Sequence, residues 1–341
     1  MKKTLSVLAI AGAALATSSM VASAGVLEDV KARGELNCLV STGLAGFAYP
    51  DASGRWEGLD VDFCRATAAA IFGDPDKVKF VPASSKNRFT ILNSGEADVL
   101  YRTTTITMSR DVDLKMTFLG VNFYDGQGFM VPKSLGAKSA TELDGASVCI
   151  QTGTTTELNL ADYFRTHKMS YEPVPHESSD EGKANFEAGR CDLYTTDASG
   201  LAAIRSATAD PSKFVILDEL ISKEPLGPAV RQGDEAWADL NRWVLNVIIA
   251  AEEYGITQAN VEGFAAKSTG NPNIDRITGV EGEYGPMIGL EKDWAVKAIK
   301  AVGNYGEIFE RHVGVNTPIG LARGSNAQWN NGGILYAPPI R

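Results

Sequence analysis

The sequence predicts an α/β fold made of two similar lobes. Its 341 residues suit two globular units, because domains commonly hold ~100–200 residues. Hydrophobic residues make up 44% and charged residues 22% of the chain, which is typical of proteins that fold around a buried core. Short apolar runs alternate with segments of helical spacing in two separate stretches, and this alternation is the pattern of mostly parallel α/β sheets.

The first α/β stretch covers residues 36–101. Three apolar or β-branched runs in it predict strands, at residues 36–40, 78–81 and 97–101. After the first strand, four residues at helical spacing predict a helix: Val61, Cys64, Ala68 and Ile71. Asp60 is the candidate N-cap of this helix and Gly73 its candidate stop. Residues 89–92 suit a second, short helix.

The same alternation of strand and helix patterns occurs in a second stretch of the sequence. Residues 147–150 and 191–195 predict strands, and residues 157–164 predict a helix between them. Two similar α/β lobes therefore fit the length of the chain.

The C-terminal part of the chain is mainly helical in its pattern. Residues 235–254 predict a long helix with one apolar stripe, formed by Trp237, Leu240, Trp243, Val244 and Val247. Residues 294–309 predict a later helix. From Pro318 onward the chain is rich in Gly, Asn and Pro, which predicts irregular structure along the surface.

The N-terminus has the pattern of a secretory signal peptide. Lys2 and Lys3 precede an apolar run at residues 5–16, and small residues lead to Ala24, where cleavage is expected. The run is shorter than the ~20 residues of a membrane-spanning helix. Removing 24 residues takes two lysines away, so the net charge changes from 32 − 42 = −10 to 30 − 42 = −12. Such acidity argues against nucleic acid or an anionic lipid surface as a partner.

Four cysteines follow the predicted signal: Cys38, Cys64, Cys149 and Cys191. An oxidising compartment favours two disulfides, although four cysteines allow three connectivities and buried free thiols are the alternative. The histidines are far from the cysteines in sequence and no C-x-x-C spacing occurs. We therefore expect neither a metal site nor a redox site.

Common enzyme motifs are missing from the sequence. It has no nucleophile elbow, phosphate-binding loop, zinc-protease motif or dinucleotide-binding glycine motif. Acidic residues are plentiful, so a catalytic carboxylate pair stays open, but no motif places two of them together. The commoner catalytic machinery is therefore missing from the sequence.

A hydroxyl-rich strand end followed by a cation stands out at residues 99–110. Thr103, Thr105 and Arg110 lie where the chain leaves a predicted strand and begins a helix. Backbone amides, hydroxyls and a guanidinium around one point suit a small carboxylate. The alternative interpretation is a β-branched strand with an exposed arginine.

Two further motifs follow strands of the second stretch. At residues 151–157, Thr154 and Glu157 have the spacing of a capping box, so a helix should begin near Thr155 with free amides that hold either an anion or water. At the end of the strand at 191–195, Asp197 could receive an ammonium group or cap a helix.

With the three motifs in this order behind a signal peptide, the chain resembles the periplasmic amino-acid-binding proteins of ABC transporters, the type II substrate-binding proteins. It is most similar to the general L-amino-acid-binding subgroup. The resemblance runs from about Gly34 to Leu226 and includes four short strings, at residues 58–63, 94–99, 124–128 and 142–145.

The resemblance implies a fold of two Rossmann-like α/β lobes with a ligand cleft between them, joined by two hinge crossovers. The first lobe would comprise residues 25–131 and 226–341, with a C-terminal extension, and the second lobe residues 132–225. We expect one disulfide in each lobe, Cys38 with Cys64 and Cys149 with Cys191, because each pair joins elements of one predicted lobe.

The resemblance also implies a ligand site. Thr105, Arg110 and the helix start at Thr155 would surround the α-carboxylate of an amino acid. Thr103 and Asp197 would receive the α-ammonium group. The remaining candidates are Phe47, which would cover the ligand, and three possible side-chain contacts, Arg102, Lys86 and Arg88.

The function that the resemblance implies is capture of several L-amino acids in the periplasm by a monomer and their delivery to an ABC transporter permease in the inner membrane. It implies a binding protein that is not an enzyme and has no cofactor. One alternative is an exported enzyme of the cyclohexadienyl-dehydratase type on the same fold. A sensory module is a further alternative.

Overall fold

The computed structural model describes residues 25–341, so the predicted signal peptide lies outside the described residues. The strands are β1 (Leu36–Ser41), β2 (Tyr49–Pro50), β3 (Trp56–Glu57), β4 (Val78–Ala83), β5 (Val99–Leu100), β6 (Met116–Phe118), β7 (Phe123–Asp125), β8 (Gln127–Pro132), β9 (Ala146–Gln151), β10 (Tyr171–His176), β11 (Leu193–Asp197), β12 (Phe214–Ile216), β13 (Glu224–Leu226) and β14 (Ala229–Arg231). The helices are α1 (Val26–Arg33), α2 (Leu59–Phe72), α3 (Arg88–Ser94), α4 (Met108–Val112), α5 (Thr155–Thr166), α6 (Ser179–Glu187), α7 (Ala198–Ser206), α8 (Glu235–Glu253), α9 (Val261–Ala265), α10 (Pro272–Ile277), α11 (Tyr284–Met287), α12 (Trp294–Val302) and α13 (Tyr305–His312).

Two five-stranded sheets with the same topology form the two lobes. The first has the order β4-β1-β5-β14-β6 and the second the order β10-β9-β11-β8-β12. In each sheet the first three strands are parallel, and the fourth strand runs antiparallel to its neighbours. The fourth strand is the one that follows a crossover from the other lobe, which is why the sheets are mixed. The predicted fold class, two α/β lobes, is confirmed.

The two crossovers pair with each other as a short antiparallel ribbon. Strand β7 leads from the first sheet to the second, and β13 leads back, with Tyr124 opposite Pro225. The second sheet begins at Gln127, so the topology favours a lobe boundary there and not at residue 132. The division into residues 25–131, 132–225 and 226–341 stays a prediction, with this shift at its first boundary.

The core of the first lobe is built on α2 and α8. The apolar stripe predicted for α8 is buried at Trp237, Leu240, Val244 and Val247. Helix α2 is covered on nearly all sides because α12, α8 and α13 pack around it, and its run of small residues allows close approach. Burial of such faces is the main stabilising contribution.

The structure pairs Cys38 with Cys64, whose Cα atoms are 6.0 Å apart, and Cys149 with Cys191, at 5.5 Å. The first bond joins β1 to α2, and the second joins β9 to the turn before β11. These are the two pairings predicted from the lobes. Each bond stays within one lobe, so neither restrains the movement of one lobe against the other.

Two helix predictions are wrong in detail. Residues 294–309 form two helices instead of one, because Gly303 adopts a φ of 86° and Asn304 starts a capping box with Glu307. Asp60 does not cap α2, whose N-cap position is Gly58, two residues earlier. Asp60 is instead buried in the first turn, where it faces the loop after β5.

The C-terminal extension packs against the first lobe. The hydroxyl of Tyr305 donates to the carbonyl of Asn122 at 2.9 Å, and Arg323 makes a two-pronged ion pair with Glu252 at 2.9 Å. After residue 318 the chain has only two short 3₁₀ turns, as the sequence predicts. No helix within residues 25–341 combines the length and the apolar character needed to cross a membrane.

Candidate functional site

A cavity lies between the lobes, at the carboxyl ends of parallel strands from both sheets. The residues that line it are Ser41, Leu44, Arg102 and Thr103 from the first lobe and Gln151, Ser179, Tyr194, Thr196, Asp197, Ser199, Gly200 and Ile204 from the second. Ligands of open α/β sheets commonly bind at this edge, outside the carboxyl ends of the strands. The polar lining comes from both lobes, so a molecule held there touches both.

Thr103 has an unusual backbone at the cavity wall. Its φ is 36°, in the left-handed region that a β-branched residue rarely adopts, at a cost of ~1–3 kcal/mol. The Thr103 N–H donates to the carboxylate of Asp60 at 3.2 Å. Burial raises the pKa of Asp60 to about 7. The buried carboxylate holds the loop in the strained form that presents Thr103 to the cavity.

The three candidate side-chain contacts lie in different places. Arg102 lines the cavity, donates to the carbonyl of Ala83 and to the hydroxyl of Ser85, both at 2.9 Å, and has a pKa lowered to about 10 by burial. Arg88 is 2% exposed and donates to the hydroxyl of Thr104 at 3.1 Å. Lys86 is exposed.

Asp197 ends β11 and occupies the N-cap position of α7, but its side chain makes no capping hydrogen bond to that helix. No hydrogen bond to its carboxylate occurs within the described part of the chain. Burial, with the nearby carboxylates of Asp125 and Glu224, raises the pKa of Asp197 well above its usual range. A cationic partner would stabilise the ionised carboxylate in this position, because it would offset the lost hydration and the repulsion from the neighbouring carboxylates.

Asp125 is a further acid beside Asp197. It accepts hydrogen bonds from the backbone N–H groups of Gly126, at 2.8 Å, and Ser199, at 3.3 Å. Burial raises the pKa of Asp125 to about 6. The end of strand β7 thus adds negative charge to the same side of the cavity.

Thr105 and Thr155 meet at the base of the cleft, and both bind Glu224. The Thr105 and Thr155 hydroxyls donate to the same carboxylate oxygen of Glu224, at 2.6 and 2.9 Å. The other oxygen accepts from Asn159 and Ser222, each at 2.6 Å. One carboxylate on a crossover strand therefore bridges the first lobe and the second.

Arg110 lies beside this cluster. Its guanidinium donates to the carbonyl of Thr105 at 2.7 Å and lies 5.4 Å from the centre of the Phe89 ring. Burial lowers the pKa of Arg110, while Glu224 and Asp197 oppose that change. The cation is thus placed among acidic groups contributed by the second lobe and the crossover.

Phe47 is placed in the core and not in the cavity wall. It is 1% exposed and packs edge-on against Phe123, with ring centres 5.5 Å apart. Leu44, three residues earlier, lines the cavity and packs against the core of the second lobe. The predicted covering role of Phe47 is unsupported by this placement, and Leu44 fits the role better. Composition alone could not tell which apolar side chain of this loop faces the cleft.

Contacts across the cleft show a closed arrangement of the lobes. Lys86 donates to the carboxylate of Glu177 at 3.0 Å, which joins the first lobe to the second. A Cβ added to Gly153 would lie 3.1 Å from the backbone of Lys86. The lobes therefore approach so closely at this rim that a side chain at residue 153 would press against the backbone of Lys86.

Of the residues predicted from the sequence, Thr103, Arg102 and Asp197 line the cavity, and Thr105, Arg110 and Thr155 lie beside it. Glu224 and Asp125 were not predicted, because they lie on the crossover strands, where no motif marks them. Gln151 was also missed, although it directly follows the strand predicted at residues 147–150 and begins the motif at residues 151–157. No group of three or more His, Cys, Asp or Glu side chains among residues 25–341 is arranged to hold a metal ion.

Two like lobes, two crossover strands and a polar cavity shared between the lobes define a two-lobed solute-binding protein. Residues 36–260 match the family of bacterial extracellular solute-binding proteins, family 3. The match covers well over half of the chain, and the chain belongs to this family.

Relatives of known name match along the entire chain. The general L-amino acid-binding periplasmic protein AapJ of Rhizobium johnstonii is 56% identical over 343 residues, with both chains fully covered. The glutamate/glutamine/aspartate/asparagine-binding protein BztA of Rhodobacter capsulatus is 57% identical over 341 residues, again with full coverage of both.

A solved structure has the same fold over almost the whole chain. It is an ABC transporter periplasmic binding protein from Brucella ovis with glutathione bound, and it superposes with a TM-score of 0.91 at 57% identity. The superposition covers 93% of this chain and 100% of that one.

Proposed function

We propose that this protein captures L-amino acids in the periplasm and delivers them to an ABC transporter permease. The observation that supports this most directly is the division of charge across the cleft. Arg110 is a cation of the first lobe, and Asp197 is an acid of the second lobe that lacks a hydrogen-bonding partner within residues 25–341. An amino-acid zwitterion carries the two complementary charges on groups that are bonded to the same carbon, Cα.

The chemistry of the ligand fits these groups. A zwitterion taken from water loses strong hydration, so each charged end needs a hydrogen-bonded partner of opposite sign. We assign the α-carboxylate to Arg110 and to the amides near Thr105 and Thr155. We assign the α-ammonium group to Asp197 and to the strained loop at Thr103.

Ligand binding and lobe closure are coupled in this scheme. A ligand that touches both lobes favours the closed form by as much as its affinity for that form exceeds its affinity for the open form. The Lys86–Glu177 pair is exposed at both side chains and contributes only ~0–1 kcal/mol. The ligand, and not this ion pair, supplies most of the free energy that favours the closed form over the open form. The permease recognises the closed form.

The proposed specificity is broad. The assigned groups all address the α-amino and α-carboxylate ends, which every L-amino acid shares. Arg102 lines the cavity and is the candidate partner for an acidic side chain. Arg88 is buried and donates to the hydroxyl of Thr104 instead. The names of AapJ and BztA, a general and a four-ligand binding protein, support breadth in this chain.

Glutathione, named in the Brucella ovis structure, widens the ligand class that we propose. It is a γ-glutamyl tripeptide, so its glutamyl end keeps a free α-amino group and a free α-carboxylate. We include in the proposed ligand class any compound that presents both free α-groups in the L configuration.

The proposal includes the location and the state of the protein. We propose that the signal peptide is cleaved after Ala24 and that the mature protein acts as a monomer in the periplasm. N-terminal sequencing of the exported protein and light scattering of the purified protein test these two points.

An enzyme of the cyclohexadienyl-dehydratase type is the rival proposal. It would need an acid in the cleft to expel a leaving group, and Asp197 has the raised pKa that such an acid needs. Incubation with prephenate and arogenate distinguishes the two: product formation supports the enzyme, and unchanged compound supports the binding protein.

Calorimetric titration tests the binding function and its breadth together. The ligands are glutamate, glutamine, alanine, leucine and arginine. Several of them should bind with a dissociation constant below ~100 μM, which corresponds to ~5–6 kcal/mol of favourable binding free energy. A single binder among the five contradicts the proposed breadth only. Absence of binding by all five, supported by unchanged melting temperatures, contradicts the amino-acid-binding function itself.

A further inference from the structure

A second cavity adjoins the first at the outer side of the cleft. The residues that line it are Gly43, Leu44, Ala45 and Tyr49 from the first lobe and Ser179, Asp180, Lys183, Ala203, Ile204 and Ala207 from the second. Leu44, Ser179 and Ile204 line both cavities. The two spaces therefore share one wall, which has an apolar side chain from each lobe.

The outer cavity is the larger of the two. Its volume is about 220 Å³, against about 40 Å³ for the inner cavity. A cavity needs ~10–15 Å³ of such volume to hold one water molecule, so the inner cavity is small and most of the room lies in the outer cavity. The part of a ligand that extends beyond the inner cavity can continue past Leu44 and Ile204 into the outer cavity.

The lining of the outer cavity suits a polar chain that is still partly in water. Three alanines leave the space open, and the two charged residues have opposite signs. The Lys183 ammonium donates to the carbonyl of Ala207 at 3.1 Å and has further N–H donors for a ligand. Asp180 is exposed, and an added Cβ at Gly43 would lie 3.9 Å from its carboxylate, so both lobes enclose this space.

We propose that the outer cavity is a distal subsite for groups attached to the side chain of the bound amino acid, such as the amino acid of a γ-glutamyl dipeptide. The inference rests on the proposed function, because the α-groups must occupy the inner site for the side chain to face outward. A γ-linked peptide keeps both α-groups free. An α-linked peptide converts the α-carboxylate of its first residue to an amide and loses the partner of Arg110.

Calorimetric titration of the full mature protein with three ligands tests the subsite: L-glutamate, γ-L-glutamylglycine and α-L-glutamylglycine. We expect γ-glutamylglycine to bind within ~10-fold of glutamate, and α-glutamylglycine at least ~10-fold more weakly than its γ isomer. Ala45→Trp fills the outer cavity, so it should weaken γ-glutamylglycine at least ~10-fold and glutamate less than ~3-fold.

Lys183→Ala is the second variant, because a tryptophan at residue 45 could disturb folding. It should weaken γ-glutamylglycine ~3- to 10-fold and leave glutamate unchanged. Lys213→Ala, an exposed lysine of the same lobe, is the matched control and should change neither affinity. Circular dichroism and melting temperature check that each variant folds.

The outcomes separate this inference from the proposed function. Wild-type protein that binds glutamate but not γ-glutamylglycine overturns the distal subsite alone. Equal losses for glutamate and γ-glutamylglycine in the variants, or equal affinities for the two glutamylglycine isomers, also overturn it. Failure of glutamate and every other amino acid to bind overturns the proposed function, and the inference with it.

Discussion

The side-chain amide of Asn326 makes two hydrogen bonds to the backbone of Tyr124, accepting from its N–H at 2.7 Å and donating to its carbonyl at 2.9 Å. Tyr124 is the central residue of β7, the first crossover. The irregular C-terminal segment therefore holds the strand on which the lobes are joined, as a neighbouring strand would. This contact gives the extension a structural role that its sequence did not suggest.

Asn326→Ala should lower the free energy of unfolding by ~1–3 kcal/mol, because it leaves the N–H and carbonyl of Tyr124 without their partner. Asn326 is buried, so water cannot easily replace the lost amide. Urea denaturation measures the change. Asn331→Ala, at an exposed position of the same segment, is the control, and equal stabilities of the two variants would contradict the role of Asn326.

Glu224→Gln should also destabilise the protein, by ~1.5–3 kcal/mol, because hydrogen bonds to a charged group are stronger than neutral ones. The carboxylate accepts four hydrogen bonds and is 1% exposed. A glutamine must turn its NH₂ group toward donors that need an acceptor. Chemical denaturation of this variant and of Glu172→Gln, an exposed control on β10, measures the difference. A loss no larger than that of the control contradicts the bridging role.

The sequence could locate the strand ends but not what meets between them. Asp197 and Arg110 were found because each follows a recognisable strand and polar motif. Glu224 pairs with Thr105 across 119 residues, and nothing near Glu224 in sequence indicates this contact. The same limit explains Phe47 and Leu44, since the direction of each side chain depends on how the loop packs against Phe123 and the second lobe.

The mixed sheets have a similar explanation. The strands predicted from the alternation of apolar runs and helical segments all occur in the structure, although the alternation did not predict other strands and helices of both lobes, such as β10 and α6. It does not show that the chain crosses back, because β7 and β13 are only three residues long and have no pattern of their own. Topology at the crossovers is decided by tertiary pairing, and resemblance to known proteins was the only guide to it.

Each disulfide should stabilise its own lobe. The bonds close separations of 26 and 42 residues, and loops of this size are worth ~3–4 kcal/mol in the chain-entropy model. Replacing Cys149 and Cys191 together by serine should therefore lower the free energy of unfolding of the protein, as followed by urea denaturation. Non-reducing peptide mapping of the wild-type protein checks the pairing, and a peptide that joins Cys64 to Cys149 would contradict it.

Arg110→Ala should abolish detectable amino-acid binding while the protein stays folded. Loss of a cleft cation from a desolvated carboxylate typically costs ~2–5 kcal/mol of binding free energy. Arg110→Lys should also bind more weakly, because a point charge cannot reproduce the two-pronged geometry of a guanidinium. Calorimetry measures both variants, with circular dichroism as the folding control. Micromolar affinity retained in Arg110→Ala would contradict the assignment of the ligand α-carboxylate to Arg110.

Binding of amino acids should weaken as the pH falls from 7 to 5. In the empty site, burial raises the pKa of Asp125 to about 6, and burial with Asp125 and Glu224 raises that of Asp197 well above its usual range. Asp125 therefore takes up a proton as the pH falls through this window, and the raised pKa of Asp197 makes that acid easier to protonate as well. The ligand ammonium favours their ionised forms, so binding must release protons, and affinity should fall by up to ~10-fold per pH unit for each proton released.

Titration calorimetry at several pH values, in buffers of different ionisation enthalpy, measures both the affinity and the number of protons. Asp197→Asn should bind weakly at every pH and show a flatter profile. An affinity that is constant or rises toward pH 5, with no proton release, contradicts the assignment of the ammonium group to these acids.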